Sequence, residues 1–110
     1  MHEMGIAQGI LDIAMDYAKE GKIKVISLLI GQMTGVEPES LRFCFSSLSA
    51  GTIAEGAELK VKIVPLVGRC RDCQREFGID EYKFVCSVCG SVAVEIISGR
   101  ELKVEYLEVE

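Results

Sequence analysis

At 110 residues, with 49% hydrophobic and 26% charged side chains, the chain suits one small domain with an appendage. This composition excludes a disordered polymer, and the chain is too short for two ordinary cores. A formal charge of −5, with Lys and Arg spread singly, argues against nucleic acid and anionic membranes as partners.

The stretch MGIAQGILDIAMDYAKEGK predicts a helix. Ile6, Ile10, Ile13 and Tyr17 recur at helical spacing, as do Ala7, Leu11, Ala14 and Ala18. Together they make a wide apolar arc suited to packing on a sheet. Gly21 is the expected stop, with Lys19 and Lys22 near the negative end. KIKVISLLIGQ predicts a strand, and Gly35 a turn. EPESLRFCFSSLSAG predicts a second helix with Pro38 at its first position and a core stripe of Leu41, Phe45 and Leu48. Inside it, Cys44 reads as a small packed hydrophobe. AELKVKIVP alternates at Leu59, Val61 and Ile63, and RELKVEYLEVE at Leu102, Val104 and Tyr106; both predict half-buried strands. VAVEII is expected to join the last of these through a hairpin turn at Ser98-Gly99. The N-terminus shows no secretory pattern, and no apolar run is long enough to span a bilayer, so a cytoplasmic setting is expected.

Residues 67–97 hold four of the five cysteines and few large apolar side chains. Such a segment cannot build a core by itself. The spacing is Cys70-x2-Cys73-x12-Cys86-x2-Cys89, with the intervening twelve residues able to fold back as a hairpin. Thiols stay reduced in the cytoplasm, so the pairs point to metal rather than disulfides. Four thiolates suit a tetrahedral Zn²⁺ with no open coordination place, hence a structural ion. Iron in the same four-sulfur set, or redox use of the pairs, is the alternative. Gly90 suits the tight turn after the second pair, whereas Gln74 is less typical after the first. Four thiolates around Zn²⁺ carry −2 together, taking the formal charge from −5 to −7. Arg69, Arg71, Arg75 and Lys83 are placed to offset this locally. The expected architecture is α+β. Two helices lie on a three-stranded sheet in a body of residues 1–66 and 98–110, with a zinc-ribbon-like module, 67–97, inserted between its strands.

The single histidine is His2, in MHE. The Met1 amine and the His2 amide nitrogen can close a five-membered chelate ring. The same amide and imidazole Nδ1 can close a six-membered one. Nitrogen-rich planar sets of this kind suit Ni(II) or Cu(II). Glu3 can fill the fourth place through its amide nitrogen or its carboxylate. Taken alone, a single terminal histidine is more often a solvated side chain than a ligand.

The opening MHE, the middle LLIGQMTGVEPESLRFCFSSLSAGTIAEGAELKV and the paired C-x-x-C segment ending in CGS, in that order, resemble the HypA/HybF family of hydrogenase nickel-incorporation proteins. The resemblance implies a nickel metallochaperone with Met1, His2 and Glu3 at a labile Ni²⁺ site and structural Zn²⁺ on Cys70, Cys73, Cys86 and Cys89. Its implied partners are the accessory GTPase HypB and the large-subunit precursor of a [NiFe] hydrogenase. Some members of that family carry histidines beside the cysteine pairs. This chain has none there, so no such role carries over. A different class of function, a zinc-ribbon interaction module with His2 incidental, is separable by nickel titration. No nucleophile–base constellation points to an enzyme.

Overall fold

The computed structural model describes residues 2–110. Helix α1 spans Glu3–Ala18, strand β1 Ile23–Gly31, helix α2 Pro38–Ser49 and strand β2 Glu58–Val64. Four strands follow: β3 Val67–Cys70, β4 Glu76–Gly78, β5 Val94–Ser98 and β6 Leu102–Val109. They form two three-stranded sheets, ordered β2-β1-β6 and β4-β3-β5.

The first sheet is built on β1, whose aliphatic run is buried almost throughout. Its neighbour β2 runs parallel, from Val25 opposite Glu58 to Gly31 opposite Val64. Parallel neighbours need a crossover, and α2 supplies it. Helix α2 starts where the sequence predicts. Pro38 occupies its first turn, and the Glu37 carboxylate accepts from Ser40 N–H at 2.9 Å. Leu41 and Phe45 are buried, and Leu48 and Cys44 pack against the same core. From α1 that core takes Ala7, Ile10, Leu11 and Ala14. Ile13 and Tyr17, members of the predicted apolar arc, stay exposed, Tyr17 at 76%. Helix α1 ends at Lys19, which adopts φ 58°, and not at the predicted Gly21. Gly21 is needed for another reason: a Cβ there would lie 2.2 Å from Val109 Cγ1.

Two predictions about strands are corrected. VAVEII does not form a hairpin with the last strand. β5 pairs antiparallel with β3 in the second sheet, while β6 pairs antiparallel with β1 in the first. The chain crosses between the sheets at Gly99, φ 111°, where backbones come too close for a side chain. A Cβ on Gly31 would lie 2.1 Å from the Gly99 carbonyl carbon, and one on Gly99 2.6 Å from Leu66 Cα. Hydrogen bonds fasten this crossing: Met33 N–H to Gly99 O at 2.8 Å, and Leu66 N–H to the Gln32 side chain at 2.9 Å. Nor does the alternation through Tyr106 hold. The register passes from Leu28 opposite Val104 to Ser27 opposite Tyr106, leaving Glu105 as a bulge. The inward side therefore shifts from Val104 to Leu107. Glu105 turns its carboxylate to the buried Ser27 hydroxyl, which donates at 3.0 Å, and to Lys62 at 3.3 Å.

Candidate metal centres

The second sheet carries the cysteines. Strand β3 ends on Cys70, the chain turns through Cys73, and β4 returns beside β3. The hairpin thus encloses the first pair, rather than forming from the twelve residues between the pairs. The second pair follows a loop in which Glu81 and Tyr82 both have positive φ.

The two pairs are built alike. Gln74 N–H donates to Cys70 O and Gly90 N–H to Cys86 O, each at 2.9 Å. Both turn residues are left-handed, Gln74 at φ 67° and Gly90 at 77°. Gln74 supports itself there by donating Nε2 to Arg71 O at 2.9 Å. The turns aim backbone N–H groups at sulfur: Cys73 at Cys70 Sγ, and Val88 and Cys89 at Cys86 Sγ, all at 3.4 Å. A further link was not legible from spacing. Ser91 donates to the Asp72 carboxylate, tying one turn to the other, and accepts from Ala93 N–H. Its only sequence signal was two short polar residues within the ligand loops.

All four sulfurs lie within 4.8 Å of one another, and Cys70–Cys89 and Cys73–Cys86 are both 3.6 Å apart. Sulfurs about 2.3 Å from a tetrahedral Zn²⁺ stand roughly 3.8 Å apart, so the cage fits such an ion. The cage also prepares its charges. The N–H of Cys73 draws the Cys70 thiol below its usual range, and those of Cys89 and Val88 bring Cys86 down to about 6. Cys73 and Cys89 differ. Each accepts a backbone N–H that lowers it, from Arg75 and Ser91, but lost hydration and neighbouring sulfurs outweigh that and push Cys89 up to about 12. Binding of a cation to such a set displaces the remaining thiol protons. The basic residues expected to offset the cluster are largely engaged elsewhere. Arg69 pairs with Glu76 at 2.6 Å, Arg71 with Glu95 at 3.6 Å and Lys83 with Glu81 at 3.7 Å.

At the other candidate centre, Met1 lies outside the described residues. His2 is exposed and is the N-cap of α1, its carbonyl accepting from Ile6 N–H at 3.0 Å. The leading amides of a helix have no partner within it, so the His2 and Glu3 nitrogens are not committed to helix bonds. The Glu3 carboxylate accepts from Glu37 N–H at 3.4 Å, which ties the start of α1 to the start of α2. Among the described residues, only the four cysteines form a group of three or more metal-ligand side chains close enough to share an ion.

The family model for hydrogenase/urease nickel incorporation, metallochaperone, HypA, matches residues 1–109. This chain belongs to the HypA family. The hydrogenase maturation factor HypA of Chlorobaculum tepidum is 45% identical over 113 residues, covering all of both chains. That of Nostoc punctiforme is 41% identical over 110 residues, covering all of this chain and 96% of the relative. The fold matches a solution structure of HypA protein with a TM-score of 0.73, at 23% identity, covering 100% and 97% of the two chains. It also matches the Ni metallochaperone HypA from Helicobacter pylori, with a TM-score of 0.68 at 22% identity, covering 99% and 97%. The HypA-family fold is thus an α+β body with a four-cysteine, zinc-ribbon-like unit, as the sequence predicts.

Proposed function

We propose that this chain is a nickel metallochaperone that delivers Ni(II) during maturation of a [NiFe] hydrogenase, and that its four-cysteine cage holds structural Zn²⁺. Family membership supports the role. The observation that carries the site is His2 at the N-cap of α1, exposed and with no helix bond on its amide or that of Glu3. The Met1 amine, the His2 amide and the His2 imidazole supply three nitrogens, and Glu3 supplies the fourth donor. Deprotonated amides are favoured there, because the positive end of the helix dipole faces them. Ligands beside an exposed His2 can enter a client and release the ion. A closed cage of four thiolates keeps its ion and offers no place for activated water. The protein acts by carrying and not by catalysis, in a reducing cytoplasm, with the accessory GTPase HypB and the hydrogenase large-subunit precursor as partners.

The test turns on the amine. Residues added before Met1 convert it to an amide yet leave His2 and Glu3 intact. Nickel titration of zinc-loaded protein should show one tight site that is lost in His2→Ala and in the extended chain. Scarless removal of the extension should restore it, and zinc content should stay constant throughout. Unchanged affinity and spectrum in the extended chain would overturn the reading.

A further inference from the structure

The four cysteines of the cage are not equally guarded. Cys70 is 0% exposed and Cys86 3%, and Cys73 is half-buried. Cys89 is the exposed member of the set. It lies in a run, residues 87–90, that is exposed throughout. A Cβ on the following Gly90 would meet no atom within 4 Å, so this turn is open to solvent on that side.

Hydrogen bonds divide the sulfurs further. Cys70 Sγ accepts from the N–H groups of Cys73 and Asp72, and Cys86 Sγ from those of Val88 and Cys89. Cys73 and Cys89 each accept one backbone N–H, from Arg75 and Ser91. An N–H bond stabilises the charge on a thiolate and so makes it a poorer nucleophile. With an ion bound, all four sulfurs are thiolates. Cys89 is the one that combines a single N–H bond with exposure. Cys70 Sγ, on the other turn, stands 3.6 Å from it.

The charge of the site selects the reagent. Four thiolates around Zn²⁺ carry −2, and Arg69, Arg71 and Lys83 are engaged by Glu76, Glu95 and Glu81. An anionic oxidant such as glutathione disulfide is repelled there, whereas a small neutral hydroperoxide is not. We propose that Cys89 is an oxidation site through which hydroperoxide opens the cage. The Cys89 thiolate takes the terminal oxygen of the peroxide: an S–O bond forms, the O–O bond breaks and hydroxide (or alkoxide) leaves. The Cys70 thiolate then attacks the Cys89 sulfur: an S–S bond forms, the S–O bond breaks and a second hydroxide leaves. Two thiolates give up two electrons and the peroxide accepts them. The ion keeps only Cys73 and Cys86 and is released. The new bond joins the same two turns that Ser91 and Asp72 already tie together, so the turns stay together for reduction by thiols and reloading. This inference rests on the structural-zinc reading of the cage.

The test uses the full zinc-loaded chain. Metal analysis before any oxidant is added reads the zinc assignment by itself. An iron-filled or empty cage would fail that assignment, while peptide mapping still reads the order of attack. Hydrogen peroxide is then added at limiting amounts, with zinc release followed by a chromophoric chelator. With dimedone present, the sulfenic acid trapped at Cys89 should exceed that at Cys70, Cys73 or Cys86 about tenfold. Without dimedone, mapping should show a Cys70–Cys89 disulfide formed in step with zinc release. Thiol reductant plus zinc should restore the original stoichiometry. Glutathione disulfide should release zinc at least about tenfold more slowly. First oxidation at another cage cysteine, disulfides confined within each C-x-x-C pair, or oxidation of Cys44 alone with zinc retained would overturn the proposal.

Discussion

The two sheets have three strands each but are held by different means. The β2-β1-β6 sheet buries Ile23, Ile26, Leu28 and Ile30 against two helices, with Phe45 and Leu41 completing a continuous core. The β4-β3-β5 sheet has no helix, and around its cysteines Val85, Val88 and Val92 are exposed. Its buried side chains include two sulfurs, Cys70 and Cys86. Burial of apolar surface holds the first, and convergence of four sulfurs holds the second. Stability in one follows volume and packing; in the other, on the proposed reading, it follows an ion and the turns that aim at it.

The largest effect should come from stripping zinc, since binding at such sites is worth about 10–16 kcal/mol in small zinc peptides. Chelation, or Cys73→Ala, should unfold β3, β4 and β5 while β1, β2 and β6 keep their amide protection. Loss of protection in both sheets together would erase the distinction. The converse change is Phe45→Ala, at a side chain 2% exposed. It should cost about 3–5 kcal/mol of body stability in urea unfolding, with zinc stoichiometry unchanged at one per chain.

A smaller effect separates the two cysteine turns. Gly90→Ala meets no atom within 4 Å, so its cost is the left-handed backbone alone, about 1–2 kcal/mol. It should appear as weaker zinc retention against a competing chelator. Gln74→Gly should change little, because relief at φ 67° is offset by loss of the Nε2 bond to Arg71 O. The smallest effect belongs to Glu105. The Ser27 hydroxyl first, and then Lys62, hold its carboxyl below the usual range. A depressed folded-state value gives stability that is present above the unfolded carboxylate value and lost as pH falls through the folded one. The urea-midpoint difference between the native chain and Glu105→Gln should therefore shrink as pH is lowered from about 7 to about 3. A difference independent of pH would remove the carboxylate from the account.

What could be read beforehand was what local chemistry dictates. Pro38 and the Leu41-Phe45 stripe placed α2, aliphatic runs placed β1 and β2, and the cysteine spacing placed the cage. Gly90 announced its turn, whereas Gln74 holds the same conformation through a side-chain bond that no pattern signals. The partner of β5 was misread because Ser98-Gly99 is locally a fair hairpin. Close approach of Gly31, Leu66 and Gly99, far apart in the chain, decides otherwise. The bulge at Glu105 was hidden for a similar reason, since the carboxylate's partner is a buried hydroxyl on the neighbouring strand, far away in the chain. The contact of Glu3 with Glu37 depends on how two helices meet, which neither helix encodes by itself.

The chain enters the cysteine-bearing sheet past Pro65 and leaves it at Ser98, and the Ser98 hydroxyl donates to Pro65 O at 2.8 Å. Entry and exit are therefore neighbours, as in a cassette spliced into a single loop. Joining points so close require no rethreading of β2 or β6 when the intervening segment changes length or content. In hereditary terms the body and the cassette are free to diverge at different rates, or to be exchanged, as long as the glycines at the doorway keep their bare backbones.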